Sequence, residues 1–290
     1  MAAAPMAPDT ATNGTSQQSL QRQRPLAVIT AASTGIGFAI AAELYRRGYH
    51  VLISSRSASN LQHAQSQLQQ QPASGAVTSV PCHVANAQAR SNLFQAASAI
   101  STSVSALVLN AAVSLTVLPL VRTEDDVWDK TFDVNLSANF RLCKLFYPLL
   151  TAQSSVVFVT SLAAYSPLPT LGAYSVTKTA LLGLVKALAL ELAPNDIRVN
   201  AVAPGLIRTN FSRLLWQKKE SSELRKAHSA TSVFERSDTG DTTEKQPVPR
   251  LLQPGCATDV APVVAFLCSS QARYITGETI VVAGATRSRL

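Results

Sequence analysis

The chain has 290 residues, of which 47% are hydrophobic and only 14% are charged, so it has enough apolar side chains for a large core and cannot be disordered throughout. Its 25 Lys and Arg residues outnumber its 17 Asp and Glu residues, giving a net charge of +8. These cations are dispersed and no basic run alternates with aromatic residues, so we expect an anionic small molecule as partner and no nucleic acid.

Cysteine spacing and hydropathy exclude two further classes of protein. The four cysteines are widely spaced and form no CxxC pair, so we expect neither a disulfide framework nor a metal site but four buried thiols: Cys82, Cys143, Cys256 and Cys268. Lys178, Lys186 and Glu191 interrupt the longest apolar stretch, which excludes a membrane span of about 20 apolar residues. We therefore expect a soluble protein.

In chain order, the first segment is a tail and the rest alternates strands with helices. Residues 1–24 are rich in Ala, Pro, Ser, Thr and Gln, which predicts a disordered tail, with a transit peptide as the open alternative. The predicted strands are Leu26–Ala32, Val51–Ser54, Val77–Val80, Ala106–Leu109, Ser155–Val159, Ile197–Val202 and Thr279–Val282. The most regular predicted helices are Ile36–Arg47, Leu61–Gln71 and Ala261–Cys268. This alternation predicts an α/β fold over residues 25–290: a single Rossmann-like, doubly wound parallel sheet with helices on both faces.

One polar segment breaks this alternation. Ser229–Gln246 mixes both charge signs and has little apolar periodicity. We interpret it as an exposed insertion loop.

A glycine-containing turn follows the first strand. Backbone N–H groups at the start of a helix attract a pyrophosphate, and glycines let its oxygens approach closely. The turn therefore predicts a dinucleotide site, although a plain strand-to-helix turn remains the alternative. The predicted cofactor-binding residues of the turn are Thr30, Ser33, Thr34, Gly35, Ile36 and Gly37.

The end of the second strand indicates which dinucleotide the turn binds. A site that prefers NAD places a carboxylate there to bind the ribose hydroxyls. This chain has Ser54-Ser55-Arg56 instead, so Ser55 and Arg56 are available for a 2′-phosphate. We therefore expect NADP(H) rather than NAD(H), the alternative for Arg56 being a solvated surface side chain.

A tyrosine and a lysine lie four residues apart, at Tyr174 and Lys178, on one face of a helix that begins near Gly172. A phenol has a pKa near 10, and an ammonium one turn away would lower it, so the pair suits proton transfer to a carbonyl or from an alcohol. Ser161 ends the strand before this helix, at the edge where open α/β sheets bind ligands, and could orient the same oxygen. Taken alone, the YxxxK spacing is also common on helix surfaces.

With these motifs in order, the chain resembles the short-chain dehydrogenase/reductase family over nearly all of residues 26–290. The resemblance depends on the glycine turn, Asn110-Ala111-Ala112, Asn135, the Ser161/Tyr174/Lys178 set and Pro204-Gly205. It implies a catalytic tetrad in which Asn135 holds a water that links Lys178 to solvent, while Lys178 also bonds the nicotinamide ribose. It further implies cofactor contacts at Asn110, Ala111, Tyr174, Lys178, Pro204, Gly205, Ile207 and Thr209.

Three features depart from the family pattern. Ala31 replaces the first glycine of the usual TGxxxGxG turn, and His83 stands where many members have an Asp near the adenine. The segment Ser229–Gln246 is longer than in most relatives.

Within the family, the chain is similar to the peroxisomal NADP-dependent retinol dehydrogenase/carbonyl reductase branch. The similarity is carried by Ser54–Ser57, Cys82–Val84, Val127–Thr131, Lys178–Leu184, Ala203–Ile207 and Tyr274–Glu278. It implies reduction of retinal, aromatic ketones and α-dicarbonyls by a homotetramer. The last residues, Ser288-Arg289-Leu290, are a conservative version of the Ser-Lys-Leu address, which implies a peroxisomal import receptor as partner, with cytoplasm or mitochondrion as alternatives.

An apolar set in the segments that wall this family's pocket favours an apolar or aromatic carbonyl substrate: Tyr165, Leu168, Leu171, Leu206, Phe211, Leu214, Leu215 and Trp216. Two other functions stay open at this point. One is a 3-oxoacyl thioester reductase of the same fold, and the other is a non-catalytic dinucleotide-binding scaffold subunit.

Overall fold

A computed structural model describes residues 24–73, 75–213 and 250–286. Within these ranges seven strands form one parallel sheet in the order β3-β2-β1-β4-β5-β6-β7. The strands are β1 (Leu26–Ile29), β2 (His50–Ser55), β3 (Ala76–Pro81), β4 (Ala106–Leu109), β5 (Ser155–Val159), β6 (Arg198–Pro204) and β7 (Thr279–Val282). The predicted doubly wound parallel sheet is confirmed.

Helices cover both faces of the sheet. They are α1 (Gly35–Arg46), α2 (Ala58–Gln69), α3 (Ala87–Ile100), α4 (Asp125–Phe132), α5 (Ala138–Phe146), α6 (Gly172–Leu192) and α7 (Ala257–Cys268). Side chains of α3, α5 and α6 form one core cluster, and side chains of α1, α2 and α7 form the other. In β1, Leu26 and Val28 belong to the first cluster, whereas Ala27 and Ile29 belong to the second. Because both faces of the central strands are buried, β1 and β4 are apolar throughout rather than alternating.

The strand order creates a crevice between β1 and β4. From β1 the chain builds outward through β2 and β3, then returns to the centre and builds in the opposite direction from β4 to β7. The loops that leave the carboxyl ends of β1 and β4 therefore diverge, and open α/β sheets bind ligands at such a reversal.

Two predicted helix starts, Leu61 and Ala261, are too late because polar caps extend the helices upstream. The Ser57 hydroxyl accepts a hydrogen bond from the Asn60 amide at 3.3 Å, so α2 begins at Ala58. The Asp259 carboxylate accepts one from the Cys256 amide at 2.6 Å and caps α7.

The prediction of four buried thiols is wrong for one cysteine. Cys82, Cys143 and Cys268 are buried and free, whereas Cys256 is exposed because it lies at the N-cap of α7, where the chain meets solvent. Within the described ranges no helix is both long and apolar enough to cross a membrane, and no group of three or more His, Cys, Asp or Glu residues could hold a metal ion.

Some sequence-based expectations fall where the structure gives no description. The predicted tail up to residue 23, the predicted polar loop Ser229–Gln246, the pocket candidates Leu214, Leu215 and Trp216, and the C-terminal Ser288-Arg289-Leu290 all lie outside the described residues.

Candidate functional site

A cavity of about 310 Å³ opens at the carboxyl edge of the sheet. Its lining joins the turn after β1, the loops after β4 and β5, the first turns of α6 and the segment after β6. The cavity therefore lies at the reversal of strand order, where the topology predicts a ligand.

The turn after β1 has the backbone geometry of a close-approach site. Gly35 has φ +59°, and a Cβ on Gly37 would lie 2.6 Å from Asn110 Nδ2 and closer still to the Ala31 carbonyl oxygen. Ala31, which replaces the usual glycine, has φ +51°, a left-handed conformation that costs an L residue about 1–2 kcal/mol. The chain keeps the turn despite this strain.

The predicted turn residues divide into two groups. Thr34, Gly35 and Ile36 line the cavity, and Thr34 is the N-cap of α1 without a side-chain cap of its own, so the first amides of α1 are not capped by that hydroxyl. Ser33 is half-buried beside them but does not line the cavity, and Gly37 is buried behind it.

Thr30 and Asn110 lock the turn to β4 by reciprocal hydrogen bonds. The Asn110 side-chain amide donates to the carbonyls of Thr30 and Ala31, both at 3.1 Å. The buried Thr30 hydroxyl accepts from the backbone amides of Asn110 at 2.9 Å and Ala111 at 3.1 Å. Asn110 also lines the cavity, whereas Thr30 and Ala111 support it from beneath.

Ser55 and Arg56 lie at the carboxyl end of β2, on the same sheet edge as the turn. Neither lines the cavity. Arg56 is exposed, and within the described ranges it forms no ion pair. His83, in the loop after β3, is also exposed.

The structure brings Ser161, Tyr174 and Lys178 together on one wall of the cavity. The Ser161 hydroxyl lies close enough to the Tyr174 phenol to influence its pKa. The Lys178 Nζ lies 5.5 Å from the Tyr174 ring centroid and donates to the Val159 carbonyl at 2.8 Å. The i, i+4 spacing on α6 places both side chains on the face that meets the end of β5.

The expectation that Lys178 lowers the pKa of Tyr174 is wrong for the protein without ligand. Burial raises the pKa of Tyr174 to about 12, although the neighbouring Ser161 hydroxyl acts to lower it. Burial also lowers the pKa of Lys178 to about 7, because an ammonium loses its hydration there. Lys178 is 1% exposed, so the amine is only partly charged near neutral pH and exerts a weaker field on the phenol.

Asn135 lies in a π-helical turn, Asp133–Ser137, between α4 and α5. Its side chain donates to the Val113 carbonyl at 2.9 Å and accepts from the Val113 amide at 2.7 Å, and it also donates to the Thr177 hydroxyl at 3.1 Å. Asn135 is fully buried and does not line the cavity. It fixes the loop after β4 against α6, one residue from Lys178.

Pro204, Gly205, Ile207 and Thr209, at the end of β6 and in the segment after it, also line the cavity. A Cβ on Gly205 would lie 2.8 Å from the Ala283 Cβ, so a side chain there would collide with the chain after β7. Thr209 also approaches the turn, because its Cγ2 would lie 3.3 Å from a Cβ on Gly35. The segment after β6 and the turn after β1 therefore form one continuous wall of the cavity.

The apolar part of the wall agrees with the prediction at four positions: Leu168, Leu171, Leu206 and Phe211 line the cavity. Tyr165 does not. It follows the 3-10 turn Leu162–Ala164 and is half-buried.

Sequence reasoning missed several lining residues, among them Ser114, Val117, Ser166 and Thr286. Ser114 and Val117 follow β4, Ser166 follows β5 and Thr286 follows β7. The rule that ligands bind beyond the carboxyl ends of parallel strands would have found them.

These features define an oxidoreductase fold, and the chain belongs to the short-chain dehydrogenase/reductase family. A profile of the family described as Enoyl-(Acyl carrier protein) reductase matches residues 30–285. The chain is 43% identical over 277 residues to human Dehydrogenase/reductase SDR family member 4, covering 93% of this chain and 92% of that protein. It is 40% identical over 260 residues to human Dehydrogenase/reductase SDR family member 2, mitochondrial, covering 89% of this chain and 85% of that protein.

Solved structures agree with this assignment. A short-chain type dehydrogenase/reductase from Mycobacterium ulcerans superposes with a TM-score of 0.79 at 28% identity and covers 91% of both chains. An NADPH-bound short-chain oxidoreductase from Pseudomonas aeruginosa PAO1, described as containing an atypical catalytic center, has a TM-score of 0.77 at 26% identity, over 90% of this chain and 95% of its own. The family binds a nicotinamide dinucleotide.

Proposed function

We propose that this protein is an NADP(H)-dependent oxidoreductase that interconverts apolar or aromatic carbonyls and alcohols, with Tyr174 as the general acid and base. The observation that carries this proposal is the shared cavity: Ser161, Tyr174 and Lys178 line the same space as the turn Thr34–Ile36. A reacting oxygen and a dinucleotide could therefore meet there.

The residues of the turn fit a dinucleotide. Gly37 leaves no room for a Cβ, Gly35 needs a left-handed backbone, and Asn110 holds the Ala31 carbonyl away from the opening. The amides of Thr34, Gly35 and Ile36 would bind the pyrophosphate, while Ile207, Thr209 and Lys178 would contact the nicotinamide half. When bound, the nicotinamide supplies or accepts the hydride.

The proton is handled by this chain's own side chains. Tyr174 Oη donates its proton to the carbonyl oxygen during reduction and recovers one from the alcohol during oxidation. Ser161, which lines the same cavity as Tyr174, donates to the same oxygen and fixes its position. A nearby cation stabilises a phenolate, so protonation of Lys178 favours the form of Tyr174 that accepts a proton from the alcohol during oxidation.

Asn135 completes the proposed set as the residue that holds a water between Lys178 and solvent. Its bonds to Val113 and Thr177 support this assignment because they place it between the loop after β4 and the helix that carries Lys178. The hydrogen bond to Thr177 also holds the π-helical turn, Asp133–Ser137, against α6.

Preference for NADP(H) over NAD(H) is supported by the sequence at the end of β2. Arg56 is exposed at the carboxyl edge of the sheet, the edge that also carries the glycine turn, and the two residues before it, Ser54 and Ser55, are not acidic. A guanidinium there would bind a 2′-phosphate, where an acidic residue would repel it.

The substrate class is supported by the cavity wall. Leu168, Leu171, Leu206 and Phe211 are apolar, and no Arg or Lys other than Lys178 is among the described lining residues. Such a wall favours ketones, α-dicarbonyls or retinal over acids. The thioester reductase alternative is separated by assay, comparing kcat/KM for retinal, an aryl ketone and an acetoacetyl thioester.

We also propose a peroxisomal location and a homotetramer. The location is supported by the C-terminal Ser288-Arg289-Leu290 and by similarity to the peroxisomal branch of the family. Mitochondrial and cytoplasmic locations are distinguished from it by imaging the full chain with and without its last three residues.

The catalytic proposal is tested by Tyr174→Phe. This variant loses the transferable proton but keeps the ring, so we expect kcat for ketone reduction to fall at least ~100-fold. The NADPH dissociation constant, measured by fluorescence titration, should change by less than about threefold. Retained turnover contradicts the mechanism, and NADPH binding without turnover by wild-type protein across a broad carbonyl panel would favour the scaffold alternative.

A further inference from the structure

The side chain of Phe211 is the aromatic neighbour of Tyr174. Their ring centroids are 5.7 Å apart, with a 45° angle between the ring planes. Among the described residues that line the cavity, Phe211 is the only aromatic one besides Tyr174. It is 52% exposed, which is unusual for a phenylalanine that folding alone would bury.

Hydrogen bonds hold the segment that carries Phe211 to the surrounding chain. The Arg208 amide donates to the Gly255 carbonyl and the Gly255 amide donates to the Leu206 carbonyl, both at 2.8 Å. The Ser212 hydroxyl donates to the Ile207 carbonyl and accepts from the Thr209 amide. The ring is therefore presented to the cavity from a pre-organised backbone rather than from a free loop.

We propose that Phe211 is a specificity-determining residue, whose ring selects carbonyl compounds with a flat, conjugated substituent over those with a saturated one. This inference rests on the proposed function, because it takes the reacting oxygen to be bonded to Tyr174. When the reacting carbonyl oxygen is hydrogen-bonded to the Tyr174 phenol, at about 3 Å, the carbonyl substituent lies alongside the ring that neighbours Tyr174. Phe211 is that neighbour.

The aliphatic residues of the cavity wall do not discriminate between flat and saturated substituents in this way. Leu168, Leu171 and Val117 contact the cavity with aliphatic groups, which bury flat and puckered substituents by area alone. An aromatic pair adds a preference for specific ring arrangements beyond area. We expect this preference to change kcat/KM by a factor of about 2–10.

The test compares phenyl methyl ketone with cyclohexyl methyl ketone in wild-type protein, Phe211→Leu and Leu168→Ala at saturating NADPH. The two ketones have the same heavy atoms, and their different intrinsic reactivities cancel when the ratio of kcat/KM is compared between proteins. We expect Phe211→Leu to lower the phenyl-over-cyclohexyl ratio about 2–10-fold, and Phe211→Trp to restore it. Leu168→Ala, the matched apolar control, should lower kcat/KM for both ketones without changing the ratio.

A purely structural role would give a different pattern. The NADPH dissociation constant of Phe211→Leu should stay within about twofold of wild type, since the substitution leaves the glycine turn intact. An unchanged ketone ratio in Phe211→Leu, or an equal change in Leu168→Ala, overturns the inference while the proposed function stands. If wild-type protein binds NADPH but reduces neither ketone, the proposed function itself fails, and the inference with it.

Discussion

Replacing the buried lysine of α6 with methionine should stabilise the protein near neutral pH. Lys178 is 1% exposed, and burial lowers its pKa from 10.5 to about 7. At Lys178 the unfolded chain therefore binds more protons than the folded protein between pH 7 and pH 10.5, so the contribution of this residue to stability rises with pH across this interval. Methionine does not titrate and removes that dependence.

The size of the stabilisation expected for Lys178→Met follows from the same pKa shift of Lys178. One pKa unit corresponds to about 1.4 kcal/mol, so burial of this amine costs roughly 4–5 kcal/mol at and below pH 7. Lys178→Met also leaves the Val159 carbonyl without its donor, which costs about 1–3 kcal/mol. The variant should be more stable than wild type by about 1–4 kcal/mol at pH 7, and this advantage should shrink by about 2.5 kcal/mol between pH 7.5 and 9.5.

Urea unfolding of both proteins without cofactor at pH 7.0, 7.5, 8.5 and 9.5 measures this difference. Other groups, including the buried thiols whose pKa values are raised, titrate in both proteins and cancel in the comparison. A stability difference that stays constant from pH 7.5 to 9.5 would refute the argument, because it would mean that Lys178 titrates alike in the folded and unfolded chain. Ketone reduction by the variant should be lost at every pH.

Three other outcomes are expected. Gly37→Ala should lower the free energy of unfolding, measured by chemical denaturation, by about 1–3 kcal/mol, and it should weaken NADPH binding, because the added Cβ collides with the Ala31 carbonyl. The matched control is Gly183→Ala on α6, whose added Cβ meets nothing within 4 Å. This control should be neutral or stabilising by about 0.5–1 kcal/mol. Arg56→Glu should lower kcat/KM with NADPH about 10–100-fold and leave NADH turnover within about threefold; equal losses with both cofactors would contradict the assigned 2′-phosphate contact. A maleimide should label Cys256 rapidly in the folded protein, as read by intact mass, and rapid labelling of a second thiol would show that the buried cysteines are more accessible than described.

The correction at Tyr174 shows why spacing does not predict a pKa. The four-residue interval places Lys178 one helical turn from Tyr174, and from that geometry alone a charged amine lowers the pKa of the phenol. The fold also buries Lys178 and partly buries Tyr174, and the resulting desolvation raises the pKa of Tyr174 and lowers that of Lys178. Which effect dominates depends on the surrounding packing, and no local pattern contains that information.

Several parts of the site could be predicted because they are local in sequence. The Gly35–Gly37 turn, the Tyr174–Lys178 spacing and Ser161 at a strand end each lie within one turn or helix, and the structure brings them to one cavity. The cavity-lining Thr286 lies far along the chain from these motifs and enters through the path after β7. Likewise the attachment of Asn135 to Val113 joins residues from different loops.

Sequence alone determined the parallel sheet, since strands that are apolar on both faces and alternate with helices have few other arrangements. It also determined the chemistry available at the sheet edge, because side-chain identity is independent of folding. Only the tertiary structure decided that Cys256 is exposed, that Lys178 is desolvated and that Phe211 contacts Tyr174. Burial and ring contacts depend on side chains that distant segments bring together, so they exist only once the sheet and its helices have packed.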